Sequence, residues 1–185
     1  MIYNLFPTKI YIEKMDITDE ESEAISDLCN IINEVDKDKA LFTQHNLECY
    51  PLLREVYDFF VKSFYELLLE YDDDVTYENI YDMMLYKTGK ISYLKDGEFK
   101  SINVSTNADL IALFFLSDKN LILHDPSFKR IPILSDDREY LVEGKKDTII
   151  VIPANVWHEI RTYDSEDNGV ILTMEINIDK LSKMS

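Results

Sequence analysis

The sequence predicts an α+β fold that is mainly β, a jelly roll backed by two N-terminal helices. Helical periodicity is confined to residues 1–74, and a series of short apolar stretches separated by polar turns follows, a spacing typical of a sandwich or barrel. Helices that precede the strands, rather than alternate with them, favour this class. We therefore expect a single domain over residues 1–185, with an N-terminal strand and supporting helices in 1–74 and a jelly-roll body in 75–185.

The composition is that of an acidic globular protein. The chain has 185 residues, of which 46% are hydrophobic, so it can bury a sizeable core. Its formal charge of −17 disfavours direct contact with nucleic-acid phosphates or anionic membrane surfaces. Cys29 and Cys49 show no sign of pairing, and the N-terminus lacks the charged and apolar regions of a signal peptide. These features predict a cytoplasmic protein that binds neither nucleic acid nor membranes.

The first half of the chain predicts one strand and two helices. The strand begins at Thr8 and is expected at a sheet edge. One helix follows the capping and acidic residues of 16–21, and Pro51 opens the second, since the first helical position needs no N–H. Residues 36–50 break the pattern, so we expect an irregular connector there, with His45 as a polar loop residue. The apolar stripes of the helices are Ile25, Leu28, Ile31, Ile32 and Val35, and then Leu52, Leu53, Val56, Phe59, Phe60, Phe64, Leu67 and Leu68.

The second half predicts strands joined by polar turns. Asp96-Gly97 is the strongest hairpin signal, because this dipeptide readily adopts the positive φ angles of a two-residue hairpin turn, and residues 143–146 are the next. The predicted strands are 80–86, 90–94, 99–104, 110–116, 121–124, 130–134, 140–142, 148–152, 158–162 and 170–178.

A β-branched run over residues 148–152 leads into a proline turn and then a histidine. Pro153 ends the first strand because proline has no N–H to give to a β-ladder. In the next strand Trp157 and His158 must face opposite sides of the sheet, because neighbouring side chains alternate. His158 can be a ligand only if it is the one that faces the barrel interior.

The order of these segments resembles the 2-oxoglutarate/Fe(II) oxygenase superfamily, in particular small oxygenase-like proteins of bacteriophages and marine bacteria. The resemblance is carried by residues 5–8, 43–68, 110–126 and 150–158, the last of which contains the strand, proline turn and histidine. It implies a double-stranded β-helix, a jelly roll of cupin-like type. It also implies that His158 occupies the position of the distal iron-binding histidine.

The same resemblance implies two further ligands just before the strand that begins near residue 110. The superfamily holds iron(II) with two histidines and a carboxylate. The matching positions are Asn103 and Ser105, which carry a neutral amide and a neutral hydroxyl, and the nearby Asp109 would fit only after a slip in register. The last strand lacks the basic residue that grips 2-oxoglutarate, and Glu175 adds a negative charge there. The resemblance thus implies degenerate metal and 2-oxoglutarate sites.

An alternative metal site stays open. Of the three histidines, His124 and His158 are available to a barrel site. If their strands are adjacent, the pair can bind a metal together with Asp125 or Glu159. Otherwise His124 caps a strand before a turn, and His158 is a remnant ligand that is hydrogen-bonded to a neighbour. No nucleophile with a supporting base is predicted either, because we expect Cys29 in the core and Cys49 in the connector without a supporting histidine.

These observations predict a non-catalytic binding or structural protein derived from an oxygenase, without a cofactor, that acts through a protein partner or self-association. The resemblance to phage proteins implies a role in protein assembly, in the host cytoplasm or the virion. The alternative is an active dioxygenase that uses Fe(II) and 2-oxoglutarate at an atypical metal site. A third hypothesis, favoured by the charge, is an acidic inhibitor or nucleic-acid mimic.

Overall fold

The computed structural model describes residues 1–5, 8–35, 41–71, 75–76, 80, 84–94, 99–103, 107–124, 139–161 and 169–178. These residues contain three helices, namely α1 (Asp19–Val35), α2 (Gln44–Cys49) and α3 (Pro51–Leu69). They also contain ten strands, namely β1 (Ile2–Leu5), β2 (Thr8–Lys14), β3 (Met84–Leu94), β4 (Phe99–Asn103), β5 (Leu110–Phe115), β6 (Lys119–His124), β7 (Glu139–Gly144), β8 (Thr148–Pro153), β9 (Trp157–Arg161) and β10 (Gly169–Ile178).

The strands form two antiparallel sheets. The six-stranded sheet has the order β1-β2-β8-β5-β10-β3, and the four-stranded sheet has the order β4-β9-β6-β7. Within the described strands, only β1 with β2 and β6 with β7 pair with the next strand along the chain. The other pairings join segments distant in sequence, as in a jelly roll. The predicted fold, mainly β with supporting N-terminal helices, is confirmed.

The central strands β5 and β8 are buried on both faces, which explains their uninterrupted apolar sequences. Their alternate side chains belong to two different cores. One core lies between the six-stranded sheet and the helices, and the other lies between the two sheets. The first includes Leu110, Ala112, Phe114, Ile149 and Val151, and the second includes Ile111, Leu113, Phe115, Ile150 and Ile152.

Helix α3 covers the six-stranded sheet, where it contacts β2, β5 and β8. Its predicted apolar stripe is confirmed, with Leu52 and Phe59 at the partly buried margin. The ring of Phe60 meets the ring of Phe114 in β5 edge to face, with 6.2 Å between ring centroids. None of the described helices is long and apolar enough to cross a membrane.

Helix α1 begins with a capping box. The N–H of Glu21 donates to Thr18 Oγ1 over 3.2 Å, and the N–H of Thr18 donates to Glu21 Oε2 over 2.8 Å. Ile25 and Cys29 are buried, but Ile31 is 54% exposed. The prediction that Ile31 belongs to the buried stripe is therefore wrong. The face of the helix that packs on the core carries Ile25 and Cys29 instead.

The predicted hairpins are wrong. The turn at Asp96-Gly97 lies outside the described residues, but the strands on either side of it belong to different sheets, since β3 pairs with β10 and β4 pairs with β9. Residues 143–146 likewise lead from β7 in one sheet to β8 in the other. A turn sequence specifies a local change of direction but not which strand the chain pairs with afterwards. Residues 143–146 are therefore a corner between the two sheets.

Part of the predicted connector is helical. Thr43 Oγ1 accepts the N–H of Asn46 over 3.1 Å and caps α2, so His45 lies on a short helix rather than in a loop.

The two strands predicted over 80–86 and 90–94 are a single strand, β3, in the described residues. Strand β1, which was not predicted, takes the edge of the six-stranded sheet, so the prediction that the strand beginning at Thr8 lies at an edge is wrong, since β2 pairs with both β1 and β8. The strand predicted over 130–134 lies outside the described residues.

Candidate functional site

The turn after β8 delivers His158 to the space between the sheets. The N–H of Val156 donates to Pro153 O over 3.0 Å and closes the turn before β9. Trp157 is 45% exposed whereas His158 is 4% exposed, so these neighbours face opposite sides of the sheet as predicted. His158 shares its face with Val156 and Ile160, which belong to the core between the sheets.

The imidazole of His158 is held in a defined orientation. Its Nδ1 lies 3.1 Å from the backbone oxygen of Val156, and because a carbonyl oxygen only accepts, Nδ1 donates its proton in this contact. Metal-binding histidines commonly donate their other ring N–H to a backbone carbonyl in this way. The local geometry of His158 is therefore that of a histidine that can bind a metal through Nε2.

The residue opposite His158 in the neighbouring strand is Asn103. The two are direct partners in the pairing of β4 with β9, so the backbone at 103 lies beside His158, where the resemblance expects a ligand. Asparagine brings a neutral amide to this position. Ser105 lies outside the described residues. The reading of 103 and 105 as degenerate ligand positions stays a prediction.

His124 lies on the other face of the four-stranded sheet. Strands β6 and β9 are adjacent, as the alternative site requires, but His124 is the direct partner of Trp157 whereas His158 is the partner of Leu123. Direct partners share a face of an antiparallel sheet, so His124 points outward. The structure therefore does not bring His124 and His158 together. Glu159 shares the outer face with His124, and Asp125 lies outside the described residues.

The interior consequently contains one histidine of the three. His45 is exposed on α2 and His124 is on the outer face, which leaves His158 alone between the sheets. A facial site of two histidines and a carboxylate requires a second imidazole on the same side of the sheet. Within the described part of the chain, no second imidazole joins His158 on this side of the sheet.

A buried cation that was not predicted lies in the same interior. Lys119, the first residue of β6, alternates with Leu121 and Leu123 and is 5% exposed. Its side chain lies against Gly169, the first residue of β10, where a Cβ would overlap the lysine Cε. The alternation of Lys119 with two leucines could have indicated that its side chain is buried. The polar turn before Lys119, however, made the start of the strand hard to recognise.

The interior face of β10 is polar in its second half. Thr173 and Glu175 follow Ile171 at alternate positions and so share its face toward the other sheet. Thr173 is buried, and its Oγ1 has no hydrogen-bond partner within the described part of the chain. Glu175 is half-buried on this face. Asp109 acts elsewhere, since its Oδ2 accepts the N–H of Ile178 at the end of β10 over 2.9 Å.

Helix α2 brings a cysteine and a histidine together. Cys49 Sγ lies 3.7 Å from His45 Nδ1, one helical turn away, and both residues are exposed. The expectation that Cys49 has no histidine beside it is therefore wrong. The expectation for Cys29 is confirmed, because its thiol is fully buried in the helical core.

The two sheets and their strand order define a jelly roll of the double-stranded β-helix type. The structure is similar to a prolyl-4-hydroxylase from Pseudomonas putida, with a TM-score of 0.58 and 12% identity over 95% of this chain and 90% of that chain. It is also similar to a prolyl hydroxylase from Trichoplax adhaerens, solved with a peptide of the hypoxia inducible factor oxygen degradation domain, with a TM-score of 0.60 and 10% identity over 95% of this chain and 86% of that chain. At these identities the likeness concerns the fold alone. No family model matches the sequence, and no match is found among curated proteins.

Proposed function

We propose that this chain is a non-catalytic binding or structural protein that has kept an oxygenase fold and lost the iron and 2-oxoglutarate sites. The observation that carries the proposal is that His158 is alone among the three histidines in facing the interior. Iron(II) in this type of site needs two imidazoles and a carboxylate to compete with water. One imidazole beside the neutral residue at 103 does not supply them.

The proposed role is protein assembly, either with a partner or by self-association, and its phage setting rests on the resemblance in sequence. The outer face of the four-stranded sheet supports docking, because Leu141 and Trp157 are 60% and 45% exposed there. Strand β7 stands at the end of the described sheet order, where backbone groups can pair with another chain. The charge of −17 favours a partner with a basic surface.

The alternative, an oxygenase with an atypical site, is favoured by one observation. Lys119 is buried between the sheets, and a buried ammonium is the kind of group that pairs with a carboxylate. In this alternative Lys119 would hold a carboxylate of 2-oxoglutarate and His158 would supply one metal ligand. Glu175 on the same interior face opposes the entry of a dianion.

Anaerobic titration with iron(II) and 2-oxoglutarate distinguishes the two functions. We expect no metal-to-ligand charge-transfer band, and no gain in thermal stability that requires both ligands together. We also expect 2-oxoglutarate to have the same effect on thermal stability in the parent protein, in His158→Ala and in Lys119→Met. A charge-transfer band that is present in the parent protein and lost in His158→Ala would contradict the proposal and establish the alternative.

A further inference from the structure

A second group of metal-binding side chains lies on the outer face of the four-stranded sheet, separate from His158. His124 in β6 and Glu139 in β7 are direct cross-strand partners, and Glu159 in β9 is the partner of Ile122, two residues before His124 in β6. All three therefore project from the same face, on three adjacent strands. One ligand atom from each lies within 4.8 Å of the others.

A carboxylate oxygen lies within 4.0 Å of each ring nitrogen of His124. Nδ1 lies 3.8 Å from Glu139 Oε1, and Nε2 lies 4.0 Å from Glu159 Oε1. The side chain of Glu159 is 7% exposed. Within the described residues, His124 Nε2 is enclosed and takes part in no hydrogen bond, whereas Glu159 Oε1 is paired with Arg161. A buried ring nitrogen in this state is unusual, and an ion that accepts its lone pair would satisfy it.

The separations suit a small divalent cation. With bonds of about 2.0–2.2 Å, neighbouring ligands of a tetrahedral zinc ion lie about 3.4 Å apart, so separations within the group must contract by up to about 1.4 Å. Glu139 can supply the movement, because its side chain is 54% exposed at the sheet surface. A neutral imidazole and two carboxylates also balance the charge of a divalent ion. An imidazole ligand favours zinc or nickel over magnesium or calcium.

Among the described residues, Arg161 is a cation that already contacts this group. Its guanidinium forms an ion pair with Glu159 Oε1. Because the guanidinium already occupies Oε1, Glu159 must offer Oε2 to a metal ion or release Arg161 from Oε1. Arg161 neutralises part of the charge of Glu159 when no metal is bound, and it lowers the affinity of the site by competing for this carboxylate.

We propose that His124, Glu139 and Glu159 form a site for a divalent transition-metal cation, with Zn²⁺ as the best match, on the outer face of the four-stranded sheet. The ion ties strand β7 to β6 and β9, and so stabilises that end of the sheet by binding only the folded protein. The site depends on neither His158 nor an oxygenase reaction. It is therefore independent of the function proposed above.

Trp157 makes the test direct, because it is the single tryptophan of the chain and the cross-strand partner of His124. The experiment uses the full chain carrying Cys49→Ser, which removes the exposed thiol beside His45. We expect Ni²⁺ to quench Trp157 fluorescence with a saturating curve, and Zn²⁺ to reverse the quenching and raise the melting temperature. We expect Mg²⁺ to do neither at the same concentration.

Glu139→Gln and Glu143→Gln form a matched pair of variants on the same strand and the same face. Both residues are exposed, so neither change should disturb folding. We expect Glu139→Gln to weaken Ni²⁺ and Zn²⁺ binding by about tenfold or more, and Glu143→Gln to leave it unchanged. Equal binding by the two variants, or no saturable quenching at all, would overturn the proposal. Loss of binding in His158→Ala with full binding in Glu139→Gln would overturn it too, because it would place the metal between the sheets.

Discussion

The three histidines show how the surroundings of a residue decide what its side chain can do. His45 stands on an exposed helix beside Cys49, His124 lies on the outer face of a sheet between two carboxylates, and His158 is enclosed between two sheets with its Nδ1 bonded to a backbone carbonyl. The imidazole is the same in each case. Of the three, His158 is the one enclosed between the sheets, and within the described residues His124 is the one with two carboxylates within reach.

The two cysteines should differ sharply in reactivity. Burial raises the pKa of the Cys29 thiol to about 12, because the thiolate would lose its hydration in the helical core, whereas Cys49 is exposed on α2. In the native protein at pH 8 we expect one thiol to react with a disulfide reagent and the second to react only after denaturation. The colour released by the reagent measures both thiols.

Cys49→Ser is the control for this prediction and should abolish the rapid reaction. The raised pKa also has a consequence for stability. The folded protein keeps the Cys29 proton at pH values above the ordinary thiol pKa of 9.0. The buried, protonated thiol therefore contributes fully to the free energy of unfolding below pH 9, and this contribution is lost as the pH rises toward about 12. A rapid native reaction that persists in Cys49→Ser would show that Cys29 is accessible, contrary to the expectation.

At the scale of elements, the corner between β7 and β8 fastens the helical layer to the barrel. Asp147 adopts a positive φ of 65°, and its N–H donates to Phe115 O. Its backbone oxygen accepts the N–H of Met15 over 2.8 Å, and its Oδ1 accepts the Ser22 hydroxyl over 2.6 Å. One corner residue thus joins β5, the segment after β2 and helix α1. This contact links residues 125 positions apart in the chain.

Ser22→Ala should destabilise the protein through this corner. The change removes the buried hydroxyl donor and leaves the Asp147 carboxylate oxygen without this hydrogen bond. The loss lowers the free energy of unfolding by about 1–3 kcal/mol. Urea denaturation followed by circular dichroism measures the difference. Ser26→Ala on the same helix is the matched control and should change the stability by less than about 0.5 kcal/mol. Equal effects of the two variants would show that the Ser22 contact contributes nothing specific.

At the scale of the whole molecule, the dominant electrostatic feature is the excess of acidic side chains. The chain has 36 acidic and 19 basic residues, and ion pairs such as Lys9 with Glu70 and Lys62 with Glu13 lie at the surface. Exposed pairs of this kind contribute little each. The folded state therefore holds a net negative charge whose self-repulsion opposes compactness.

Salt should accordingly stabilise the protein. Raising the ionic strength to about 0.15 M shortens the Debye length to about 8 Å and screens repulsion between distant carboxylates, so we expect the melting temperature to rise. Thermal unfolding in sodium chloride and in potassium chloride measures the effect and tests whether it is general. A melting temperature that falls with either salt would mean that attractive ion pairs outweigh the net repulsion.

Local patterns were sufficient for those parts of the fold that local chemistry controls. The apolar stripe of α3 and the continuous apolar runs of β5 and β8 were predicted, because periodicity and composition report burial directly. The hairpins were predicted wrongly, because Asp96-Gly97 and residues 143–146 specify turns but not the sheet that receives the next strand. Helix α2 was missed because it is short, although its cap at Thr43 was visible.

The sequence by itself determined that this chain builds a helix-backed jelly roll and that Trp157 and His158 face opposite ways, since both follow from alternation and burial within a segment. Only the tertiary structure decided which residues meet. Strand order and register placed Asn103 opposite His158, turned His124 to the outer face beside Glu139 and Glu159, and brought Lys119 against Gly169. The physical reason is that a shift of one residue in strand pairing moves every side chain to the other face, and no single segment carries that information.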